Sequence, residues 1–212
     1  AISRRLSEPS GVCLLANSGG GKSELKGKIV KLQLKDEVVS FTRMTENALS
    51  GMARENPYAV QNKLIAVEEN QGAQKAFYEI RTLLSEKTVR VLSGSVNGSQ
   101  EIELHGPVAF MVTTTPDSKR DEQTFNRMFL VKMDASAKQT REILRMNSLK
   151  AAGKLNADES QIIQYHHEFQ ASLLRDADVV IPFAEKIQFP FHSETCRREH
   201  TKFLKLVKAS AY

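Results

Sequence analysis

Eight consecutive residues, Ala16-Asn17-Ser18-Gly19-Gly20-Gly21-Lys22-Ser23, join three glycines to a lysine and a hydroxyl. A run of this kind, set between a strand and a helix, can wrap backbone N–H groups around an anion. Glycines allow the amides to turn inward, and the helix that follows points its positive end at the same spot. The lysine then reaches the β- and γ-phosphates of a nucleotide, and the hydroxyl binds Mg²⁺. The run fits the phosphate-loop pattern with Ala16 in place of the first glycine. Asn17, Ser18, Gly19, Gly20, Gly21, Lys22 and Ser23 are therefore the candidate nucleotide-binding residues, and ATP with Mg²⁺ is the expected ligand.

Such a loop works with an acid on a neighbouring strand. The run Leu64-Ile65-Ala66-Val67-Glu68-Glu69 supplies one. Four apolar residues bury a strand, and the carboxylates emerge at its C-terminal end, where ligands sit in open α/β sheets. Glu68 would assist the metal, together with Ser23, and Glu69 would orient and polarise an attacking water. The usual metal-side residue is Asp, so Glu68 is a departure.

The elements that position these residues can be read from periodicity. Short apolar runs over residues 11–17, 39–44, 63–67, 108–115 and 128–133 predict strands. Helical spacing marks 24–34, a short helix from Thr45 to about Gly51 with Thr45 as N-cap, and 73–87. Residues 88–92 and 100–104 alternate around a Ser/Gly/Asn stretch and predict a hairpin. Strands alternating with helices imply an α/β core with a mainly parallel sheet. After Asp134 the pattern turns helical, with helices over 138–152, 158–174 and 194–212 and an extended stretch at 179–183. The expected layout is a core over 1–136 and a helical subdomain over 137–212.

Composition sets the outer bounds. The chain has 212 residues, 41% hydrophobic and 26% charged, with a formal net charge of +5. That is the profile of an ordinary globular protein; it permits a nucleic-acid partner without requiring one. No apolar run approaches the roughly 20 residues of a membrane span. Two cysteines, Cys13 and Cys196, are too few for a disulfide framework, so a reducing, cytoplasmic setting is expected. Cys13 reads as packing; Cys196 can be exposed, but nothing near it argues for a nucleophile. His166 and His167 are adjacent on a helix and face different ways, so they do not make a paired metal site. The chain stops inside a helical pattern, which predicts a piece of a longer polypeptide.

The order of these elements resembles AAA+ ATPases, and more narrowly the minichromosome maintenance (MCM) type of replicative helicase as found in bacterial mobile elements. The residues that carry the resemblance are Ser18 to Ser23, Phe41-Thr42-Arg43-Met44-Thr45, Val67 to Ala73, Gly106-Pro107-Val108 leading to Thr113-Thr114-Thr115, Asn126-Arg127-Met128-Phe129-Leu130-Val131, and Arg197-Arg198-Glu199-His200 leading to Phe203-Leu204-Lys205-Leu206. The resemblance implies a P-loop AAA+ three-layer core with a small C-terminal helical lid. It implies a sensor role for Thr115, where related helicases carry Asn, with Thr113 and Thr114 as alternatives. Arg127 matches an arginine finger that reaches the γ-phosphate held by the neighbouring subunit. Arg198 or Arg197 matches a second sensor acting across the same interface, with the spacing to Phe203 leaning to Arg198. The resemblance further implies a ring-shaped homo-oligomer, a hexamer by family habit, that acts on single-stranded or forked DNA beside a primase-like module. The 88–104 hairpin falls where such helicases grip DNA, yet its tip, Ser93 to Ser99, has no Lys or Arg. That absence keeps an AAA+ loader or remodeller open, and Glu68 in place of Asp with Thr115 in place of Asn keeps open an ATP-dependent DNA-binding oligomerisation switch without unwinding.

Overall fold

The structure is a computed structural model that describes residues 2–45, 47–68, 74–95, 98–116, 122–155 and 158–212; of residues 74, 75, 93–95, 98 and 99 it describes the backbone alone. The chain is α/β. Five strands form one parallel sheet: β1 (Gly11–Leu15), β2 (Val38–Phe41), β3 (Lys63–Val67), β6 (Val108–Thr114) and β7 (Met128–Lys132), in the order β2-β3-β6-β1-β7. Two further strands, β4 (Thr88–Ser95) and β5 (Gly98–His105), make a separate antiparallel hairpin. The apolar runs become central strands because both faces are covered, as parallel sheets require. All seven residues of β6 are buried, and the last four of β3.

The helices that cover the sheet follow the crossovers. α1 (Lys22–Lys31) leaves β1 and leads to the edge strand β2. Leu25, Ile29 and Val30 of α1 pack on the cluster of Leu14, Leu64, Ala66, Ala109 and Met111. α2 (Ala48–Glu55) and α3 (Gln74–Glu86) cover the other face. There Phe77, Ile80 and Leu83 join Cys13, Ile65, Val67, Phe110 and Met128 in the main core. Phe77 meets Phe110 edge-on at 6.0 Å between ring centroids. α4 (Glu122–Phe125) is a single turn before β7.

Some boundaries differ from the sequence expectation. The helix expected to start at Thr45 starts instead at Ala48, with Asn47 as the cap residue, and runs through Gly51 to Glu55. A single glycine costs a helix only about 1 kcal/mol, and burial of Leu49 and Ala53 outweighs it. The hairpin strands extend further into the Ser/Gly stretch than alternation indicates, with Gly94 facing Ser99 and Ser95 facing Gly98. Residues 179–183 form no strand; what lies nearby is an isolated bridge between Leu6 and Ala177. Cys196 is buried at 9% exposure, not open, and Cys13 is buried as expected.

The C-terminal region holds α5 (Ala137–Ala151), α6 (Ser160–Ser172) and α7 (Cys196–Ala211). α5 has no buried residue. α6 lies along the C-terminal end of α1, where Lys28 pairs with Glu159, His167 Nε2 contacts the Lys31 carbonyl at 3.0 Å, and Gln170 donates to the Leu32 carbonyl. α7 reaches the core through Lys202, whose ammonium donates to the Met128 carbonyl at 3.3 Å. Among the described residues no helix is long and apolar enough to cross a membrane.

One charged cluster fastens the N-terminal segment and the segment after α6 to the amino edge of the sheet. Glu37, just before β2, accepts from Arg4 (3.0 Å at Nε), Arg5 (2.6 Å) and Arg175 (3.0 Å). The side chains of Arg4, Arg5 and Glu37 are only 0%, 4% and 8% exposed. Burial lowers the Arg4 pKa, and Glu37 opposes that shift. Replacing Glu37 by Gln takes the carboxylate away from two buried guanidinium groups. The expected loss is about 3–5 kcal/mol of stability, read as a lower urea midpoint at unchanged slope.

A second buried acid behaves oppositely. Glu79 on α3 is 8% exposed and accepts from Ser50 of α2 at 2.7 Å. Burial raises its pKa, with the Ser50 hydrogen bond partly opposing. A raised acid contributes stability that is fully present below the unfolded carboxyl pKa and lost as the pH climbs through the folded value. The stability difference between wild type and Glu79→Leu should therefore move in the variant's favour as the pH rises above the ordinary carboxylate range. Thermal melts over that rise in pH check it.

Candidate functional site

Because the sheet is parallel, the carboxyl ends of its strands share one edge. β1 ends there at Leu15 and gives way to the glycine run. Gly19 and Gly21 have φ of +75° and +80°, a region that side chains with a Cβ rarely enter. A Cβ on Gly20 would sit 2.6 Å from the Ala16 Cβ and 3.0 Å from the Asn17 carbonyl oxygen. The three glycines thus each have a steric reason, two through conformation and one through close approach. Asn17 to Gly21 are exposed.

α1 begins at Lys22 with Gly21 as its cap residue, and no side chain caps the first turn. Its leading amides and positive dipole end face the loop, which suits an anion. Lys22 Nζ donates to the carbonyls of Ala16 (2.6 Å) and Asn17 (2.8 Å). The ammonium is therefore folded back over the loop's own acceptors. Ser23 is exposed one residue further on.

β3 ends at Val67, and Glu68 follows at the same edge. Glu68 is fixed at three points. Its N–H donates to the Phe41 carbonyl at 3.2 Å, its carbonyl accepts from the Thr113 hydroxyl, and its Oε1 pairs with Lys26 Nζ at 3.0 Å. Lys26 also donates to the Phe41 carbonyl at 3.3 Å. The Glu68 side chain is 35% exposed, that of Lys26 5%. Glu69 lies outside the described residues.

β6 ends beside β1, with the Ala16 N–H donating to the Thr114 carbonyl at 3.3 Å. Of the three candidate threonines, Thr113 is 2% exposed and commits its hydroxyl to Glu68, and Thr114 is 5% exposed. Thr115 is half-buried, past the strand end. The sequence alternatives thus sort by exposure, with Thr115 the one nearest solvent.

The three arginine candidates sit elsewhere. Arg127 precedes β7, whose first residue pairs with Gly11 at the start of β1. It therefore lies at the amino edge, about 15–20 Å along the sheet from the glycine loop at the ~3.3 Å rise per strand residue. Its Nε donates to Ser85 at 2.8 Å and its Nη1 to the Gln123 carbonyl at 2.5 Å. Arg127 and Arg198 line one cavity of about 320 Å³ together with Lys202, Lys205, Glu8 and Ser10. Burial lowers the Lys205 pKa, and Glu8 works against that. Arg197 lines a different pocket, with Cys196, His192 and His200. Sequence spacing leans only slightly to Arg198 over Arg197; the structure groups Arg198 with Arg127.

Two residues escape the sequence reading. Lys26 reads there as one more charge on a helix, although its place one turn after Lys22 puts it on the loop-facing side. Lys205 carries no signal apart from its spacing on α7. The site offers hard oxygen donors in Ser23 and Glu68, which suit Mg²⁺. Among the described residues there is no cluster of three or more His, Cys, Asp or Glu that could cage a metal. Mg²⁺ commonly relies on few protein ligands plus substrate phosphates and water, so the donor set fits that ion.

No protein-family model matches the chain, and no curated protein matches it.

Proposed function

We propose that this chain is an ATP-binding and ATP-hydrolysing module of the AAA+ class, working in a ring of like copies as MCM-type helicases do. The observation that carries the reading is the separation of its parts. A glycine cradle, Lys22, Glu68 and Thr115 gather at one edge of a parallel sheet, while Arg127 and Arg198 share a cationic cavity at the other. An arginine so placed is out of reach of its own chain's loop and is presented to another copy.

In this reading the amides of residues 18–23 and Lys22 hold the β- and γ-phosphates, and Lys22 leaves the Ala16 and Asn17 carbonyls to do so. Ser23 and Glu68 hold Mg²⁺, which when bound neutralises charge on the β- and γ-oxygens. Glu69 orients a water against the γ-phosphorus. A bond forms from that water oxygen to phosphorus as the bond to the β–γ bridging oxygen breaks, leaving ADP and phosphate. Thr115 positions the water or a γ-oxygen. Arg127 of one copy stabilises charge on the γ-phosphate held by the next, a task suited to a permanently charged, forked donor. Exposed apolar side chains on the C-terminal helices, Ile143, Leu144, Ile162 and Leu206 among them, support a surface that meets another protein.

The hairpin favours a second output. Arg90 is paired with Glu103 at 2.8 Å, directly across the strands, and Glu101 lies nearby on the same strand. A hairpin with two acids against one engaged arginine is poorly suited to phosphate backbones. The loader or remodeller reading draws on that feature, and stimulation by single-stranded DNA separates the two: a helicase motor turns over faster with it.

The test is complementation. Lys22→Ala should abolish nucleotide binding. Arg127→Ala should keep it and lose about 10³-fold or more in turnover. Glu69→Gln should also bind without turning over. Mixing the Arg127→Ala and Glu69→Gln chains should restore part of the turnover, because some interfaces then pair an intact Glu69 with an intact Arg127. Steady-state phosphate release across a range of protein concentrations should rise faster than linearly. A constant specific rate in a monomer, undiminished by Arg127→Ala, overturns the proposal.

A further inference from the structure

The contact that the nucleotide reading leaves unexplained is the pair between Lys26 and Glu68. Lys26 stands one turn after Lys22 on α1, and its ammonium is drawn to the sheet's carboxyl edge, where it touches the Phe41 carbonyl at 3.3 Å and Glu68 Oε1 at 3.0 Å. Its side chain is 5% exposed, so the charge has been taken out of water to sit there. Such a cost is met only by close partners, and Glu68 is the charged one. Yet Glu68 is also the acid that a divalent cation would need. One carboxylate cannot fully neutralise an ammonium and a metal at once.

The same contact accounts for Glu in place of the shorter Asp. The Glu68 backbone is pinned on both sides, by the Phe41 carbonyl and the Thr113 hydroxyl. The extra methylene is what carries the carboxylate from that fixed point across to α1. An aspartate at this position would fall short of Lys26 while keeping an oxygen at the strand end.

We propose that Lys26 is a positioning residue that holds Glu68 at the strand end and competes with Mg²⁺ for its carboxylate, so that Lys26 sets how much Mg²⁺ the bound nucleotide requires. This rests on the nucleotide-binding reading above. With Mg²⁺ bound beside the phosphates, Glu68 would share its carboxylate and Lys26 would hold Oε1 less firmly than it does here.

The experiment follows nucleotide retention, not turnover. A fluorescent ATP analogue bound to the chain is titrated with Mg²⁺, and each variant is first melted to establish that it folds. Lys26→Met should lower the Mg²⁺ concentration for half-maximal retention about three- to tenfold, the worth of one partly buried ion pair. Glu68→Asp should move it the same way. Lys26→Arg, whose fork can engage both oxygens, should raise it. A purely structural ion pair would change the melting temperature and leave the Mg²⁺ requirement where it was, and that result overturns the inference. Should Lys26→Met fail to fold, Glu68→Asp and Lys26→Arg carry the test, since each keeps one acid and one cation in place. Retention that Lys22→Ala abolishes but the Lys26 and Glu68 variants do not shift removes this inference alone. A wild-type chain that retains no analogue at any Mg²⁺ concentration removes the nucleotide reading and this inference with it.

Discussion

Everything in this molecule depends on five strands running the same way with β1 held between β6 and β7. In a parallel sheet every strand end of one kind lies on one edge. Gly11 of β1 therefore pairs with Phe110 on one side and Met128 on the other, and Leu15 with Thr114 and Lys132. The loop after β1, the acid after β3 and the threonine after β6 are neighbours because of that register, not because they are near in sequence. The same register sends Arg127 to the far edge. Once the chain is folded this way, no local adjustment brings Arg127 to its own glycine loop.

The ends of the sheet are built differently, and the difference suits what each has to do. The amino edge is fastened by a buried ion cluster in which one carboxylate serves three arginines drawn from two distant segments. Breaking it strands charge in the interior, so it holds the N-terminal segment and residues 173–177 in place. The carboxyl edge is tied by contacts that water or a ligand can replace: Lys22 on loop carbonyls, Lys26 on a partly exposed Glu68. The proposed nucleotide site thus lies where the contacts are replaceable, not where charge is sealed inside.

Much of this is legible in the sequence, for identifiable reasons. The strand at 63–67 can be read to the residue because four apolar residues lie between a lysine and two acids. The glycine loop is legible because φ values and close approach leave glycine little competition there. The short helix before Asn56-Pro57 is misplaced by sequence reasoning because the capping chemistry of Thr45 outweighs the amphipathic spacing that Leu49 and Ala53 supply; tertiary burial decides the matter. The fate of Cys196 is hidden because a contact it makes, with Ser193 at 3.7 Å, comes from the irregular stretch before α7, which has no periodicity to read. Pairing of specific charges is illegible altogether. Nothing in the spacing of Lys26 and Glu68, or of Arg4, Arg5 and Glu37, announces a contact across some 30 or 40 positions. Ion pairs are selected by the three-dimensional register and not by local pattern.

The cationic cavity is likewise assembled by tertiary placement. Arg127 comes from the core, and Arg198, Lys202 and Lys205 from α7, so the cavity exists only if α7 docks on the amino end of β7. Its docking rests on little buried apolar area: α7 buries Cys196, while Phe203 and Leu206 stay exposed at 38% and 51%. Four cations line the cavity with Glu8 as the carboxylate among them, and Glu199 reaches Lys202 from along the same helix. The remaining positive charges repel one another, and repulsion of this kind works against the docking that assembles them. An anion placed there would offset that repulsion. If the cavity meets a phosphate as proposed above, binding there and docking of α7 would be coupled, each strengthening the other.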